Sequence, residues 1–202
     1  MANTITSYRD STTFINTALF EANLLKKQEF SSSSNASPLL NGCVQLSIQL
    51  GEQKSLLSPT DEAAGPSLAD LENASAAAET GISKMSETTQ PEYAPKLHEL
   101  KNLLAKVKTA QSTLSKQYDE LETELQTLAR DIVAQGRNLS SREIENRLDQ
   151  FSSKLKPFST DAERYSKEMA VLQKELPELH RKIYTRLPAA QRGDILPPPR
   201  LE

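Results

Sequence analysis

The fold of this chain is decided by residues 97–135, LHELKNLLAKVKTAQSTLSKQYDELETELQTLARDIVAQ. With Leu97 at heptad position a, ten of the twelve a and d positions are apolar or aromatic. Apolar residues at 3,4 spacing over more than five heptads are typical of a coiled coil. The predicted seam residues of this segment are Leu97, Leu100, Leu104, Val107, Leu114, Leu121, Leu125, Leu128 and Ile132.

A second apolar stripe runs through residues 141–187. Ser140 and Glu143 have the spacing of a capping box, which predicts a helix start here. The stripe keeps its phase across Pro157 and Pro177. At Pro157 we expect a kink or a short break, because proline disrupts a helix interior and Thr160 and Glu163 could start the helix again. The predicted seam residues of this segment are Ile144, Leu148, Phe151, Leu155, Met169, Leu172, Leu176, Leu179 and Ile183.

The two segments are similar in length, and the short turn between them suits an antiparallel helical hairpin. In the register that matches the two seams, Asp131 lies opposite Arg147 and Glu124 lies opposite Lys154. Both pairs are opposite in sign, and such pairs help to set register. We therefore predict an all-α fold, built on an elongated antiparallel coiled-coil hairpin.

The rest of the chain is predicted to be shorter helices and linkers. Apolar spacing predicts amphipathic helices at 10–30 and 38–57, and a weaker, Ala-rich helix containing Gly81 at 67–87. Val44, Leu46, Ile48 and Leu50 also alternate as in a strand, but we favour a helix because no other segment would complete a sheet. The predicted organisation is 1–57 N-terminal amphipathic helices for partner docking, 58–94 linker with the weak helix, 95–187 hairpin, and 188–202 Pro-rich disordered tail.

Several apolar residues are not used by the predicted seam. Helices of about 20 residues with one apolar stripe gain most of their stability from packing. The residues predicted to dock a partner are Phe14, Leu19, Leu25, Leu46, Leu50, Leu103 and Ala110, the last two at position g beside the seam. The alternative is that the N-terminal helices pack on Leu103 and Ala110 of this chain's own hairpin.

Residues able to carry chemistry are few. Cys43 is the only cysteine, so neither an internal disulfide nor a cysteine-based metal cluster can form. His98 and His180 fall at outer heptad positions, and we interpret both as solvated surface residues. Glycine-rich phosphate loops and nucleophile motifs are missing from the sequence. We therefore expect no catalytic residues, no metal, no cofactor and no small-molecule substrate.

Composition favours a protein that acts through helix contacts. The hydrophobic fraction of 37% and aromatic fraction of 5% are low for a compact globule, and the net charge of −3 does not indicate nucleic-acid binding. No run reaches the roughly 20 apolar residues of a membrane span. We expect a non-enzymatic scaffold or tether subunit of a hetero-oligomeric complex that binds other helical proteins in the cytoplasm or nucleus. A eukaryotic trafficking, chromosome or cytoskeleton assembly is favoured; a bacterial secreted effector or translocator and a membrane-surface helical module are the alternatives.

Overall fold

The computed structural model describes residues 36–57, 65–135 and 140–198. Over these ranges the protein is all-α, as the apolar periodicity predicts, with no strand. The helix predicted at 10–30 lies outside the described residues. The helices are α1 (Ala36–Leu57), α2 (Leu68–Ser83), α3 (Gln90–Gln135) and α4 (Ser141–Arg186), followed by a 3₁₀ turn at Ala189–Gln191.

Two helices begin with capping boxes. The predicted box at the start of α4 is confirmed: the Ser140 N–H donates to Glu143 Oε2 at 2.9 Å, and the Glu143 N–H donates to Ser140 Oγ at 3.3 Å. Ser67 and Asp70 make the same reciprocal contacts at the start of α2. Each box satisfies backbone donors that a helix start leaves open. The bonds from the backbone N–H and the hydroxyl of Ser140 lower the pKa of Glu143.

The prolines do not interrupt α4. Residues 141–186 form one continuous helix through Pro157 and Pro177, so the break that we considered is absent. Proline removes one backbone bond, but buried Leu155 and Phe158 on either side of Pro157 hold the helix in phase.

The chain divides into two compact units, and in the part of the chain that the structure describes each unit combines one short helix with parts of both long helices. Among the described residues, unit 1 contains 36–57, 113–135 and 140–163, and unit 2 contains 65–112 and 164–198. Within each unit the segments of α3 and α4 run antiparallel, as their ion pairs show. The antiparallel pairing of the two long helices is thus confirmed in both units.

In unit 1, α1 packs beside the hairpin segments. Gly42 lies close to Leu148 of α4, and Lys54 Nζ lies 4.2 Å from the centre of the Tyr118 ring on α3. A cation at this distance from a tyrosine face is attracted by the ring. Because both contacts come from one helix, α1 is the third helix of the unit.

The alternation at residues 43–50 is explained by two adjacent helical stripes. Leu46 and Leu50 are four residues apart and point into the core of unit 1, whereas Val44 and Ile48, also four apart, are half-buried. Residues at this spacing share one face of a helix. The helical interpretation is therefore confirmed.

In unit 2, α2 is a packed helix and not a marginal one. Leu71 and Ala78 are fully buried, and Ala74, Ala77 and Gly81 are buried with them. We interpreted these small residues as a sign of weakness, but they allow α2 to approach its neighbours closely. A Cβ placed on Gly81 would overlap Ile183 Cγ2 of α4.

Candidate protein-binding surface

The predicted seam residues form the interiors of the two units. Unit 1 buries Leu114, Leu121, Leu125, Leu128, Ile132, Ile144, Phe151 and Leu155, with Leu148 half-buried. Unit 2 buries Leu97, Leu100, Leu104, Val107, Met169, Leu172, Leu176, Leu179 and Ile183. These residues therefore stabilise the chain itself and are not a surface for another protein.

The ion pairs predicted from the hairpin register are present in unit 1. Arg147 Nη1 lies 2.9 Å from Asp131 Oδ2, and Lys154 Nζ lies 2.7 Å from Glu124 Oε1. Partly exposed pairs of this kind contribute roughly 0–1 kcal/mol each. Their value is in fixing which turn of α3 faces which turn of α4.

The residues predicted to dock a partner differ in how exposed they are in the structure. Leu46 and Leu50 are only 7% and 2% exposed, so the core of unit 1 already occupies the stripe that we assigned to a partner. The physical reason is that α1 lays this stripe against the chain's own long helices. Leu103 and Ala110 are half-buried. Phe14, Leu19 and Leu25 lie outside the described residues.

The side of α3 that carries Leu103 and Ala110 faces away from α2. Lys101 and Lys108, both at position e, bind Glu79 and Glu72 of α2. Positions e and g lie on opposite sides of the a/d seam. Leu103 and Ala110 are at g, so α2 lies on the other side of the seam from them.

The same side of unit 2 carries an exposed apolar side chain from α4. Val171 is three residues after Glu168 and four before Glu175, which puts all three on one side of the helix. Lys106 and Lys96 of α3 bind these two carboxylates, the second at 2.7 Å.

Leu103 lies between the two lysines in sequence, on the turn of α3 that these ion pairs flank. We call Leu103, Ala110 and Val171 the flank surface. Val171 is 41% exposed.

The C-terminal part of unit 2 is ordered against the helices, which corrects the prediction of a disordered tail for residues 188–198. We call these residues the strap. Ile195 is buried, Lys84 Nζ lies 3.0 Å from Asp194 Oδ2, and Arg192 donates to the carbonyls of Leu187 and Thr185. One buried apolar side chain, one ion pair and the hydrogen bonds of Arg192 hold the strap in place. Its proline content alone predicted a disordered segment.

His180 of α4 also differs from the prediction. It is 1% exposed, and its Nε2 lies 2.8 Å from the Leu196 carbonyl oxygen of the strap. The heptad position considered only the pairing of α3 with α4, and the strap supplies the third neighbour. His98 is exposed, as predicted. The available signal for the strap was the apolar pair Ile195-Leu196, shortly after the end of the last helix.

Three comparisons bear on identity and chemistry. Family models, curated proteins and solved structures gave no match to this chain. The described part of the chain groups no three His, Cys, Asp or Glu residues as metal ligands. Among the helices of that part, none is both long and apolar enough to cross a membrane.

Proposed function

We propose that this chain is a non-catalytic helical scaffold or tether subunit of a multi-protein assembly, and that it binds other helical proteins through the flank surface. The observation that supports the proposal is the 41% exposure of Val171, on the same side of the helix pair as half-buried Leu103 and Ala110. A cytoplasmic or nuclear location is part of the proposal and rests on composition alone.

The geometry of the flank surface suits a helical partner. α2 binds the e side of α3, and we propose that a partner helix packs on the g side, in the groove that two packed helices leave between them. A helix in this groove would give the four-helix arrangement in which antiparallel helices commonly pack. Fully burying an apolar side chain contributes about 1.5–3 kcal/mol. The three partly covered residues would therefore add a few kcal/mol together.

The test compares two neighbouring substitutions on α4. Val171→Asp puts a charge in the flank surface, whereas Ala170→Asp puts the same charge at an exposed position about 100° around the helix. We expect affinity purification with Val171→Asp to lose at least one protein about tenfold, and Ala170→Asp to retain it. Circular dichroism should show both variants as helical as the wild type.

Two outcomes would overturn the proposal. If Val171→Asp and Ala170→Asp recover the same proteins in the same amounts, the flank surface does not bind them. If the wild-type chain recovers no protein above background, the scaffold function itself fails. Light scattering on the purified chain would show whether the flank surface instead pairs two copies.

A further inference from the structure

The strap is held on unit 2 by a histidine whose bonding fixes its protonation. The Leu196 carbonyl can only accept, so His180 Nε2 carries a hydrogen and donates it over 2.8 Å. In the neutral ring Nδ1 is then the acceptor. Nδ1 is buried and has no hydrogen-bond partner among the described residues.

Protonation of His180 would create a problem at Nδ1. The second ring N–H would need an acceptor, and a charged ring would be enclosed in a site that is 1% exposed. A buried charged group without a compensating bond is strongly disfavoured. The site is therefore built for the neutral ring.

The charged groups around the ring do not compensate its protonation. Arg181, the next residue, carries a like charge, and Tyr184 presents its ring edge-on at 6.4 Å. On the strap, Arg192 binds backbone carbonyls, and Asp194 binds Lys84 from the connection between α2 and α3.

No carboxylate of α3 is among the groups that act electrostatically on His180. Tyr93 of α3 lies near the C-terminal end of α4, but its hydroxyl acts electrostatically on Lys182.

We infer that His180 is a pH-sensitive latch, which holds the strap on unit 2 while the ring is neutral and releases it when the ring is protonated. Release would withdraw Ile195 from its place near Gly81 and free the Leu196–Pro198 segment. This inference is independent of the flank surface.

The direction of the pH dependence follows from burial. Burial lowers the pKa of His180 below its usual 6.5, the bond to Leu196 opposes this shift, and Arg181 adds to it. A group whose pKa is lowered by folding stabilises the folded form at high pH and loses this contribution as the pH falls. In the proposed latch, release exposes the ring to water and returns its pKa to about 6.5, so the strap is held fully above that pH. Below that pH, the equilibrium constant for release of the strap rises by up to about tenfold per pH unit. The rise ends at the pKa that His180 has while the strap is bound.

The test measures amide hydrogen exchange in the full chain. Rates are expressed as protection factors, because the exchange rate of an unprotected amide itself changes with pH. The Ile195 N–H donates to the Arg192 carbonyl at 3.0 Å and reports on the strap. Between pH 6.5 and 5.0 we expect its protection to fall by up to about 16-fold, which is the linkage limit when His180 titrates at 6.5 with the strap released. The Leu100 amide of α3 should keep its protection.

Two matched variants identify the trigger. His180→Gln keeps a side-chain N–H donor but cannot be protonated in this range, so the Ile195 protection should no longer depend on pH. His98→Gln makes the same change at an exposed position and should retain the wild-type pH dependence.

An unchanged fall in His180→Gln, or constant protection in the wild type, would overturn the latch. Should His180→Gln not fold, ring-carbon shifts of the wild-type histidine decide. A ring that stays neutral while Ile195 loses protection is not the trigger.

Discussion

Replacing Gly81 by alanine tests whether α2 is held by close helix contact. Gly81 lies inside α2, and a Cβ added there would overlap Ile183 Cγ2, with Leu187 Cδ1 at 3.5 Å and Ile195 Cδ1 at 3.8 Å. Ile183 is fully buried, and its branched Cβ has little rotational freedom in a helix.

Two effects compete in Gly81→Ala. Alanine stabilises a helix interior by about 1 kcal/mol relative to glycine. Overpacking a filled core costs about 1–3 kcal/mol. We expect overpacking to win, because the overlap is with a rigid buried side chain, and the free energy of unfolding should fall by about 1 kcal/mol.

Gly42→Ala is the matched control. Its Cβ would meet Leu148 Cδ1 at 3.2 Å, but Leu148 is half-buried and its end is flexible, so the gain of helix propensity should remain. We expect this variant to be up to about 1 kcal/mol more stable than the wild type. Urea unfolding at 25 °C, followed by circular dichroism at 222 nm, measures both variants.

A second substitution separates steric overlap from other causes. Ile183→Leu removes the branch at Cβ and should cost less than about 1.5 kcal/mol alone. Combined with Gly81→Ala it should restore part of the lost stability, with a coupling of about 1 kcal/mol. If Gly81→Ala stabilises the chain as much as Gly42→Ala does, close packing of α2 is refuted.

Two further predictions concern unit 1. Ser140→Ala removes the cap of α4 and should lower the free energy of unfolding by about 1 kcal/mol; Ser153→Ala, at an exposed position inside α4, should change it by less than about 0.5 kcal/mol in the same urea titration. Cys43 is fully buried, and burial raises the pKa of its thiol to about 11. Ellman's reagent at pH 8 should therefore leave native Cys43 unmodified and react fully in 6 M guanidinium; rapid reaction of the native chain would contradict the position of α1.

The features that could be predicted from the sequence depend on local or pairwise rules. The heptad positions follow from helical geometry alone, and the Ser140–Glu143 cap needs only two residues three apart. The pairs Asp131–Arg147 and Glu124–Lys154 required only a choice of register between two helices.

The features that were missed each depend on a third element. Gly81 has the same local signature whether it weakens a helix or allows another helix to approach. His180 is at an outer position of the helix pair, yet it is buried, and its Nε2 bonds to the Leu196 carbonyl of the strap. An outer heptad position predicts exposure only if nothing else packs on that side.

The apolar stripe of α1 is buried within unit 1, so it no longer supports the proposal of a partner protein. An apolar stripe on a short helix shows that the stripe must be covered but not what covers it, and the core of unit 1 buries Leu50 to 2% exposure. From the sequence pattern alone, Leu50 and Leu103 are both predicted to dock a partner. In the folded chain they differ, because Leu103 is half-buried beside Val171, which remains 41% exposed. The proposal of a partner at the flank surface therefore rests on apolar area that folding leaves in water, and Val171→Asp addresses that area directly.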